Sequence, residues 1–403
     1  MKNTDLMQQA LGLAPPWLVM SSTFSVEEKR LDIQIDFPAG SVFTCSVCGA
    51  SGCKGYDTEK VNWRHLNFFQ HEAYLHARVP RVQCQTCGIK RVNVPWARPG
   101  SGFTLLFEAL IMTLVKVMPV QSAAQIVGEH DTRPWGVLHH YVDDARERAD
   151  YLKIAKLSPD EKAARRGHNY VTLFVDLSMR RVLFATPGKD AATVEAFAKD
   201  LLAHGGKPEA ITEVRQDMSP AFAAGVGAHL PNASITYDKF HVIKLINEAV
   251  DKIRRAEQKD RPEMKKTRYL WLKNHDNLKK EQQEQLSSLS GLKLKTARAM
   301  HIRMSFQDFY DQPPEAAEAY LKKWYFWATH SRLQPIIDVA RTIKRHWDGI
   351  LRWFQSGIAD GLIEGINSLV QAAKAKARGY RSTRNLAAII YLVAGKLELK
   401  PPT

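Results

Sequence analysis

Two short stretches, TCSVCGASGC at residues 44–53 and QCQTCGIK at residues 83–90, decide how the front of the chain is expected to fold. Each contains a Cys-x-x-Cys pair followed by glycine, a pattern typical of a tight turn that aims two thiolates at one ion. Two such turns supply the four tetrahedral ligands of a structural zinc site. The sequence therefore predicts a zinc-binding domain whose ligands are Cys45, Cys48, Cys84 and Cys87.

The segment between the two cysteine pairs is longer than in common zinc ribbons, so a hairpin or small sheet is expected to fill it. YLHARVPRVQC, at residues 74–84, alternates apolar and polar residues and predicts a strand entering the second pair. The fifth cysteine, Cys53, is expected to be a spare. Buried free thiols and a redox pair are the alternatives, but no βαβ pattern surrounds the cysteines. Basic residues nearby predict a phosphate-facing surface: Arg64, Arg78, Arg81, Lys90 and Arg91.

After residue 98 the pattern becomes helical. Helices are predicted over residues 104–117, 120–128 and 132–148, with Thr104 and Thr132 as N-terminal caps. Small residues in the middle helix followed by a glycine turn indicate helix-turn-helix, in which the last helix enters the major groove. An ordinary helical hairpin linking two domains is the alternative. The residues predicted to contact DNA are Arg133, Trp135, His139 and His140.

From about residue 153 strand-like runs alternate with helical ones. Strands are predicted over residues 170–176, 180–186 and 210–217, with a helix over 193–204. A mixed sheet flanked by helices suits an RNase-H-like fold, where carboxylates at strand ends and on a later helix converge on divalent cations. Mg²⁺ prefers oxygen ligands, and two ions about 3.5–4 Å apart serve phosphoryl transfer. Spacing alone does not choose among the candidates Asp160, Asp176, Asp217, Asp238 and Glu364.

The segments DEKAARRGHNYVT, VRQDMSPAF, YDKFHVIKLINEAVDKIRR and DGLIEGINSLVQAAKAKARGYR, together with the cysteine pairs and the helical segment, span nearly the whole chain. In these segments the chain resembles the transposases of the ISL-three family of bacterial insertion sequences. The resemblance implies an RNase-H-like core with an Asp-Asp-Glu triad that binds two Mg²⁺ or Mn²⁺ ions, and a helical insertion before the Glu. Matched position by position, the triad falls on Asp160, Asp217 and Glu364. Asp238 and His241 match a D-x-x-H element that supports the site.

The chain departs from the family pattern at two places. Ser158-Pro159 precede Asp160 where a more apolar strand is expected, and proline lacks a donor for strand pairing. Asp176, at the end of a better strand, is therefore the fallback for the first triad position. Asp360 stands where the family tends to carry Asn, and is either an additional carboxylate near the metals or a helix cap.

Between Asp238 and Glu364 the pattern is helical, with helices predicted over residues 243–258, 313–329 and 335–354. Residues 239–303 are rich in Lys and Arg and predict a basic surface for duplex DNA. The helix after Glu364 is expected to end at Gly379 and to carry cations along the scissile strand, namely Lys374, Lys376, Arg378 and Arg381. Four tryptophans are expected in the core: Trp324, Trp327, Trp347 and Trp353.

The 403 residues, 45% of them hydrophobic, predict a multidomain α+β chain with sizeable cores. The expected domains are a zinc-binding DNA-recognition domain (1–98), a helix-turn-helix segment (99–150), the first part of the RNase-H-like core (151–238), the helical insertion (239–352) and the final helices of the core (353–403).

A formal net charge of +15 favours double-stranded DNA as the partner, both element ends and target. No apolar run is long enough to span a membrane, and the N-terminus lacks the apolar centre of a signal peptide. The expected location is the bacterial cytoplasm, near the nucleoid.

The expected function is a DNA transposase that binds the terminal inverted repeats of an insertion sequence and catalyses Mg-dependent strand cleavage and strand transfer. Pairing of two element ends implies at least a homodimer on DNA. One alternative is a catalytically inactive DNA-binding protein derived from a transposase, which the Ser-Pro before Asp160 favours. Another is a junction or RNA nuclease on the same fold, which fits the long helical insertion less well.

Overall fold

The computed structural model describes residues 3–165, 169–356 and 361–401, and the chain divides into two compact units. Unit 1 comprises Met1–Arg146 with Glu398–Thr403, and unit 2 comprises Glu147–Leu397. Asp360, the additional carboxylate noted in the sequence, lies outside the described residues.

Unit 1 combines a mixed sheet with a helical segment. Its described strands are β1 (Leu18–Ser25), β2 (Arg30–Asp36), β3 (Val42–Phe43), β4 (Cys53–Phe68), β5 (His71–Cys84) and β6 (Gly88–Arg91). Its described helices are α1 (Asn3–Ala10), α2 (Leu105–Val117), α3 (Val120–Val127) and α4 (Thr132–Glu147). The strand order is β1-β2-β5-β4-β3, and β6 pairs with β5.

The long hairpin of β4 and β5 forms the centre of this sheet and fills the segment between the cysteine pairs, as the sequence predicts. In β5 alternate residues such as Ala73, Leu75 and Ala77 are buried, because successive side chains of a strand point to opposite faces. They pack in a core with Trp17 and Trp63.

Unit 2 is built on a second sheet. Its described strands are β7 (Lys156–Arg165), β8 (Asn169–Asp176), β9 (Arg181–Pro187), β10 (Glu213–Gln216) and β11 (Ser234–Tyr237), in the order β11-β10-β7-β8-β9. The pairs β7–β8 and β8–β9 are antiparallel, whereas β10 is parallel to both β7 and β11. The carboxyl ends of β10 and β11 therefore lie at the same edge of the sheet.

The described α-helices of unit 2 are α5 (Ala191–Ala203), α6 (Pro220–His229), α7 (Lys239–Glu257), α8 (Arg268–Leu272), α9 (Lys280–Ser290), α10 (Lys295–Phe309), α11 (Pro314–Thr329), α12 (Gln334–Arg345), α13 (Trp347–Leu351), α14 (Trp353–Ser356), α15 (Gly361–Lys376) and α16 (Thr383–Ala394). Helices α5 and α6 cover the sheet, with the Phe174 and Phe197 rings stacked at 4.4 Å.

The helices α7 to α13 form a core of their own, which continues to Tyr237 of β11. Gly349 lets α13 pack closely there, since a Cβ at this position would lie 2.6 Å from the Tyr237 ring. Trp324 and Trp347 are buried in this core and Trp353 is half-buried, whereas Trp327 is 45% exposed, so the prediction for Trp327 is wrong. No described helix is long and apolar enough to cross a membrane.

Candidate functional site

The four predicted zinc ligands come together in unit 1. The Sγ atoms of Cys45, Cys48, Cys84 and Cys87 all lie within 4.8 Å of one another. The cysteine pairs stand in two turns, and Gly49 and Gly88 close these turns with φ of 73° and 71°, a conformation that favours glycine. Four thiolates at this spacing match the tetrahedral shell of a structural zinc ion.

Backbone amides of the turns favour the thiolate forms of Cys84 and Cys45, whereas the neighbouring Cys48 thiol and burial raise the pKa of Cys87 to about 12. Amide donation from Cys87 and Thr86 lowers the pKa of Cys84 to about 6, and amides of Cys48 and Val47 lower the pKa of Cys45. Lowered thiol pKa values are typical of cysteines that bind metals, because the thiolate is the ligand. Cys53 is outside the four-sulfur group, as expected of a spare.

The helical segment α2-α3-α4 follows the predicted bounds within two residues. The Thr104 hydroxyl caps α2 by accepting from the Phe107 amide, and Gly128 ends α3 with a φ of 74°. Thr132 is the first residue of α4 and not its cap, a small correction. Glu108, fully buried in α2, accepts from Arg98 (2.9 Å) and from the Tyr141 hydroxyl of α4 (2.8 Å), so a buried charge network joins α2 to α4.

The four residues predicted to contact DNA lie on the first turns of α4. Arg133 is engaged within unit 1, because it pairs with Glu129 at 2.5 Å and covers the Phe103 ring at 3.9 Å. Trp135 and His139 stack on each other at 5.7 Å, and His140 is exposed. Arg133 is therefore a structural residue in the free protein, and the contact of α4 with DNA stays a prediction.

The predicted phosphate-facing surface of the zinc domain needs correction. Arg64 is 1% exposed and donates to the backbone oxygens of His65 and Ala73, so it is buried. The other arginines form ion pairs across the sheet, namely Arg78–Asp36, Arg81–Asp57 and Arg91–Glu59. Arg78, Arg81 and Arg91 are still 40–49% exposed, so their contact with phosphates, like that of Lys90, stays a prediction.

In unit 2 a cavity of ≈ 440 Å³ lies where the ends of the strands meet α7 and α15. Residues from distant parts of the chain line it, including Asp160, Glu161, Lys162, Gln216, Asp217, Asp238, Phe240, His241, Lys244, Glu364 and Asn367. The parallel pairing of β10 with β11 places Asp217 and Asp238, which follow these strands, at one edge, and Asp160 lies in β7 just beyond its pairing with β10. The three residues matched to the triad thus line one cavity.

Asp160 belongs to β7, a strand that sequence patterning did not predict. Ser158 and Pro159 lie within this strand and pair in register with β8. The pairing of β7 with β10 stops at Leu157, so the missing amide of Pro159 costs no hydrogen bond to β10. The Asp160 Oδ2 atom forms an ion pair with Lys162 Nζ at 3.0 Å.

Asp176 is placed elsewhere, which removes it as the fallback. It is 1% exposed at the other end of β8, and its Oδ1 atom accepts from the amides of Ser178 and Met179 in the β8–β9 turn. It does not line the cavity. Asp at a strand end followed by a tight turn is a common structural use of the residue.

Asp217 and Asp238 follow β10 and β11 at the same edge. Asp217 Oδ1 accepts from the amide of Ser219, just before α6. Asp238 caps α7 by accepting from the Phe240 amide, and its other oxygen accepts from Arg215. Although burial opposes it, the nearby His241 and Arg215 lower the pKa of Asp238 to about 2. Both Asp238 oxygens are thus engaged within the protein.

Sequence reasoning missed Glu161 and Gln216 as lining residues, although each is adjacent to a matched Asp. Burial and the neighbouring carboxylates of Asp217 and Asp160 raise the pKa of Glu161. Gln216 is 2% exposed, and neither polar atom of its amide has a hydrogen-bond partner among the described residues. Asn367 Oδ1, one turn beyond Glu364, is likewise buried without a partner in the described chain.

The cavity is rich in oxygen ligands suited to a hard cation. Among the described residues, the four cysteines form the one group of three or more metal-ligating side chains that is close enough together to hold an ion. The donor chemistry of the cavity fits Mg²⁺ or Mn²⁺ and not a second structural zinc ion.

The four cations predicted to lie along the scissile strand are on α15 and in the turn after it. We call them the cationic tail: Lys374, Lys376, Arg378 and Arg381. Lys374 donates to the backbone oxygen of Ala163 in β7, while Lys376, Arg378 and Arg381 are exposed. The helix ends at Lys376, slightly before the predicted Gly379, whose φ is 96°.

Known families match the chain in three consecutive segments. A zinc-finger of transposase IS204/IS1001/IS1096/IS1165 matches residues 41–87, and a helix-turn-helix domain of transposase family ISL3 matches residues 92–142. The ISL3 family described as Transposase matches residues 157–390.

Whole proteins are similar over most of their length. The transposase for insertion sequence element IS1001 of Bordetella parapertussis is 31% identical over 362 residues, covering 85% of this chain and 87% of that protein. The transposase for insertion sequence element IS1557 of Mycobacterium tuberculosis is 26% identical over 434 residues, covering 97% of this chain and 96% of that protein. A solved simian T-cell lymphotropic virus intasome in complex with PP2A regulatory subunit B56 gamma is 14% identical with a TM-score of 0.17, covering 45% of this chain and 66% of that chain.

Proposed function

The chain belongs to the ISL3 family of transposases, and on that premise we propose that it binds the terminal inverted repeats of an insertion sequence and cuts and joins DNA with Asp160, Asp217 and Glu364. The family membership inferred from the sequence is confirmed, as are its zinc-finger and helix-turn-helix modules. The individual catalytic residues and the two-metal mechanism are the proposal.

One observation carries the proposal most strongly. Asp160 in β7, Asp217 after β10 and Glu364 on α15 are separated by up to about 200 residues of chain, yet they line one cavity. Three acidic side chains around one cavity repel one another unless cations balance them. Asp160, Asp217 and Glu364 would hold two divalent ions, which would supply activation of the attacking oxygen and charge stabilisation of the leaving oxygen in an in-line phosphoryl transfer.

The remaining residues of the cavity have supporting roles in this proposal. Arg215 and the α7 cap hold Asp238 in place, so Asp238 and His241 position the site and do not supply its main ligands. Lys374 is tied to β7, which places the start of the cationic tail near Asp160. The exposed side chains beyond Lys374 would contact phosphates of the scissile strand, namely Lys376, Arg378 and Arg381.

The strand arrangement supports an RNase-H-like core. Three antiparallel strands, β9-β8-β7, are followed in the sheet by the parallel strands β10 and β11, with helices α5 and α6 packed on the sheet. The helices between β11 and α15 correspond to the proposed helical insertion. The basic residues of that insertion would contact flanking duplex DNA, and the zinc and helix-turn-helix modules would recognise the element ends. Pairing of two ends calls for at least a dimer on DNA.

The alternative, an inactive DNA-binding protein, loses its main support. It rested on Ser158-Pro159 disrupting the strand that carries Asp160, whereas β7 runs through both residues. A junction or RNA nuclease on the same fold would cleave without a requirement for element ends. Comparing cleavage of substrates with and without those ends therefore distinguishes this alternative from a transposase.

Glu364→Gln tests the proposal because it keeps the shape of the side chain and removes its charge. We expect cleavage of duplexes carrying the element ends to fall roughly 1,000-fold or more, since several kcal/mol of transition-state stabilisation are lost. Binding of the same duplexes, measured by gel shift, should be unchanged. Glu318→Gln, in an exposed α11 ion pair with Lys322, is the matched control and should cleave normally. Normal cleavage by Glu364→Gln would refute the assignment.

A further inference from the structure

Phe240 is an exposed aromatic side chain at the cavity that holds the acidic residues. It is 63% exposed, although it lies in the first turn of a helix in which Val242 and Ile246 are buried. Its amide donates to Asp238 Oδ1 at 2.7 Å, so its backbone is fixed beside the cavity. Single exposed aromatic rings are common on protein surfaces, but this ring lines the cavity, so its face is available to a ligand that enters there.

The polar lining of the same cavity also lacks partners. Gln216 is 2% exposed, and both its amide oxygen and amide nitrogen are without hydrogen bonds among the described residues. A buried amide without partners is unfavourable, so it is expected to find a donor and an acceptor when the cavity is occupied. Lys244 lines the same cavity and adds a positive charge.

A divalent cation would explain the carboxylates of the cavity, but it would not explain the exposed ring of Phe240 or the unpartnered amide of Gln216. An apolar ring does not ligate Mg²⁺, and the N–H group of an amide cannot. A nucleobase matches them, because it has an aromatic face for stacking and an edge with both donors and acceptors. The phosphate attached to this nucleobase would face the cavity carboxylates and the divalent ions proposed to bind there.

We infer that the cavity takes one unpaired nucleobase adjacent to the scissile phosphate, which stacks on Phe240 and presents its edge to Gln216. The inference rests on the proposed function, because it assumes that DNA is cleaved at this cavity. Taking the base out of the duplex leaves the neighbouring phosphate accessible, and stacking on Phe240 offsets the cost of unstacking the base.

The test compares Phe240→Ala, Phe240→Trp and the matched control Phe326→Ala in a cleavage assay on duplexes carrying the element ends. Phe326 is 64% exposed on α11 and does not line the cavity. We expect Phe240→Ala to slow cleavage roughly 10-fold to 100-fold, the range of a lost base–aromatic stack. Phe240→Trp and Phe326→Ala should cleave within a few-fold of the wild type.

A series of substrates that each carry one abasic nucleotide identifies which base enters the cavity. One abasic site at a time is placed at each position on either side of the scissile phosphate, since a missing base needs no unstacking. Cleavage by Phe240→Ala should recover at one position and nowhere else. Wild-type cleavage rates by Phe240→Ala, or a defect that no abasic position relieves, would overturn the inference; the second outcome would assign the ring to a protein contact. Failure of the wild type to cleave any duplex would instead refute the proposed function.

Gln216→Met tests the edge contact, because it removes donor and acceptor at similar volume. At the position found by the abasic series, the wild type is expected to cleave the four bases at different rates. Gln216→Met should reduce that preference. An unchanged preference would overturn the role given to Gln216.

Discussion

At the scale of single residues, the half-buried His65 of the zinc domain shows how the surroundings of a side chain set its charge. The His65 Nδ1 atom lies 2.9 Å from the hydroxyl of Thr104, the residue that caps α2. Burial, with a smaller contribution from Arg64, lowers the pKa of His65 to about 4, so the folded form holds the ring neutral. His65 thereby connects β4 to the start of the helix-turn-helix segment.

This pKa makes unit 1 sensitive to acid. An ordinary histidine titrates near 6.5, so between about pH 6.5 and pH 4 the unfolded chain binds a proton that the folded chain does not. Stability therefore falls as pH decreases through that range. At pH 5 the loss from this group is about 2 kcal/mol relative to neutral pH.

We predict that His65→Gln reduces the acid-induced loss of stability, measured by urea denaturation of the zinc-loaded protein at pH 7 and pH 5. His130→Gln, which changes a side chain that is 77% exposed, is the control and should lose stability like the wild type. If His65→Gln and the wild type lose the same amount, the buried neutral ring is not the cause.

At the scale of structural elements, the two cysteine turns close one end of the β4–β5 hairpin. Cys84 ends β5, and Cys45 and Cys48 lie in the turn before β4. A zinc ion would therefore hold these chain segments together.

Cys84→Ser should abolish stoichiometric zinc binding, because three thiolates and a hydroxyl make a much weaker shell. Zinc content measured by mass spectrometry should fall from one ion per chain to near none, with loss of end binding in gel shifts. Cys53→Ser is the matched control, since Cys53 lies outside the four-sulfur group, and it should keep its zinc. Full zinc retention by Cys84→Ser would contradict the assignment.

Elements with a strong local pattern were predictable from the sequence, and those defined by their neighbours were not. The helices α2, α3 and α4 carry apolar periodicity and end signals, and β8 and β9 are rich in β-branched and aromatic residues. In contrast β7 contains Ser158, Pro159 and several charges, and it is a strand because β8 pairs along its whole length. The four-residue strand β11 is too short to show alternation.

The same limit applies to the cavity. Spacing could not choose among five acidic residues, and the resemblance to a family selected three of them. The structure separates Asp176 from the cavity because its carboxylate closes a turn, a local use that sequence alone does not distinguish from a ligand. Gln216 gave no signal, since an isolated Gln in a strand carries no motif.

At the scale of the whole molecule, the DNA-recognition modules fall in unit 1 and the acidic cavity in unit 2. The chain as a whole carries a formal net charge of +15, which favours encounter with phosphates. On the proposed function, divalent ions would add to Lys162 and Arg215 in balancing the cavity carboxylates before a phosphate enters. Metal binding should therefore precede cleavage.

Anomalous scattering from crystals soaked in Mn²⁺ is the most direct measurement of the central claim. The account predicts one or two manganese peaks in the unit 2 cavity, each contacted by carboxylate oxygens of Asp160, Asp217 or Glu364. In crystals of Glu364→Gln at least one of those peaks should weaken or vanish. No peak in the cavity at saturating Mn²⁺, or peaks at Asp176 in its place, would contradict the proposed catalytic site.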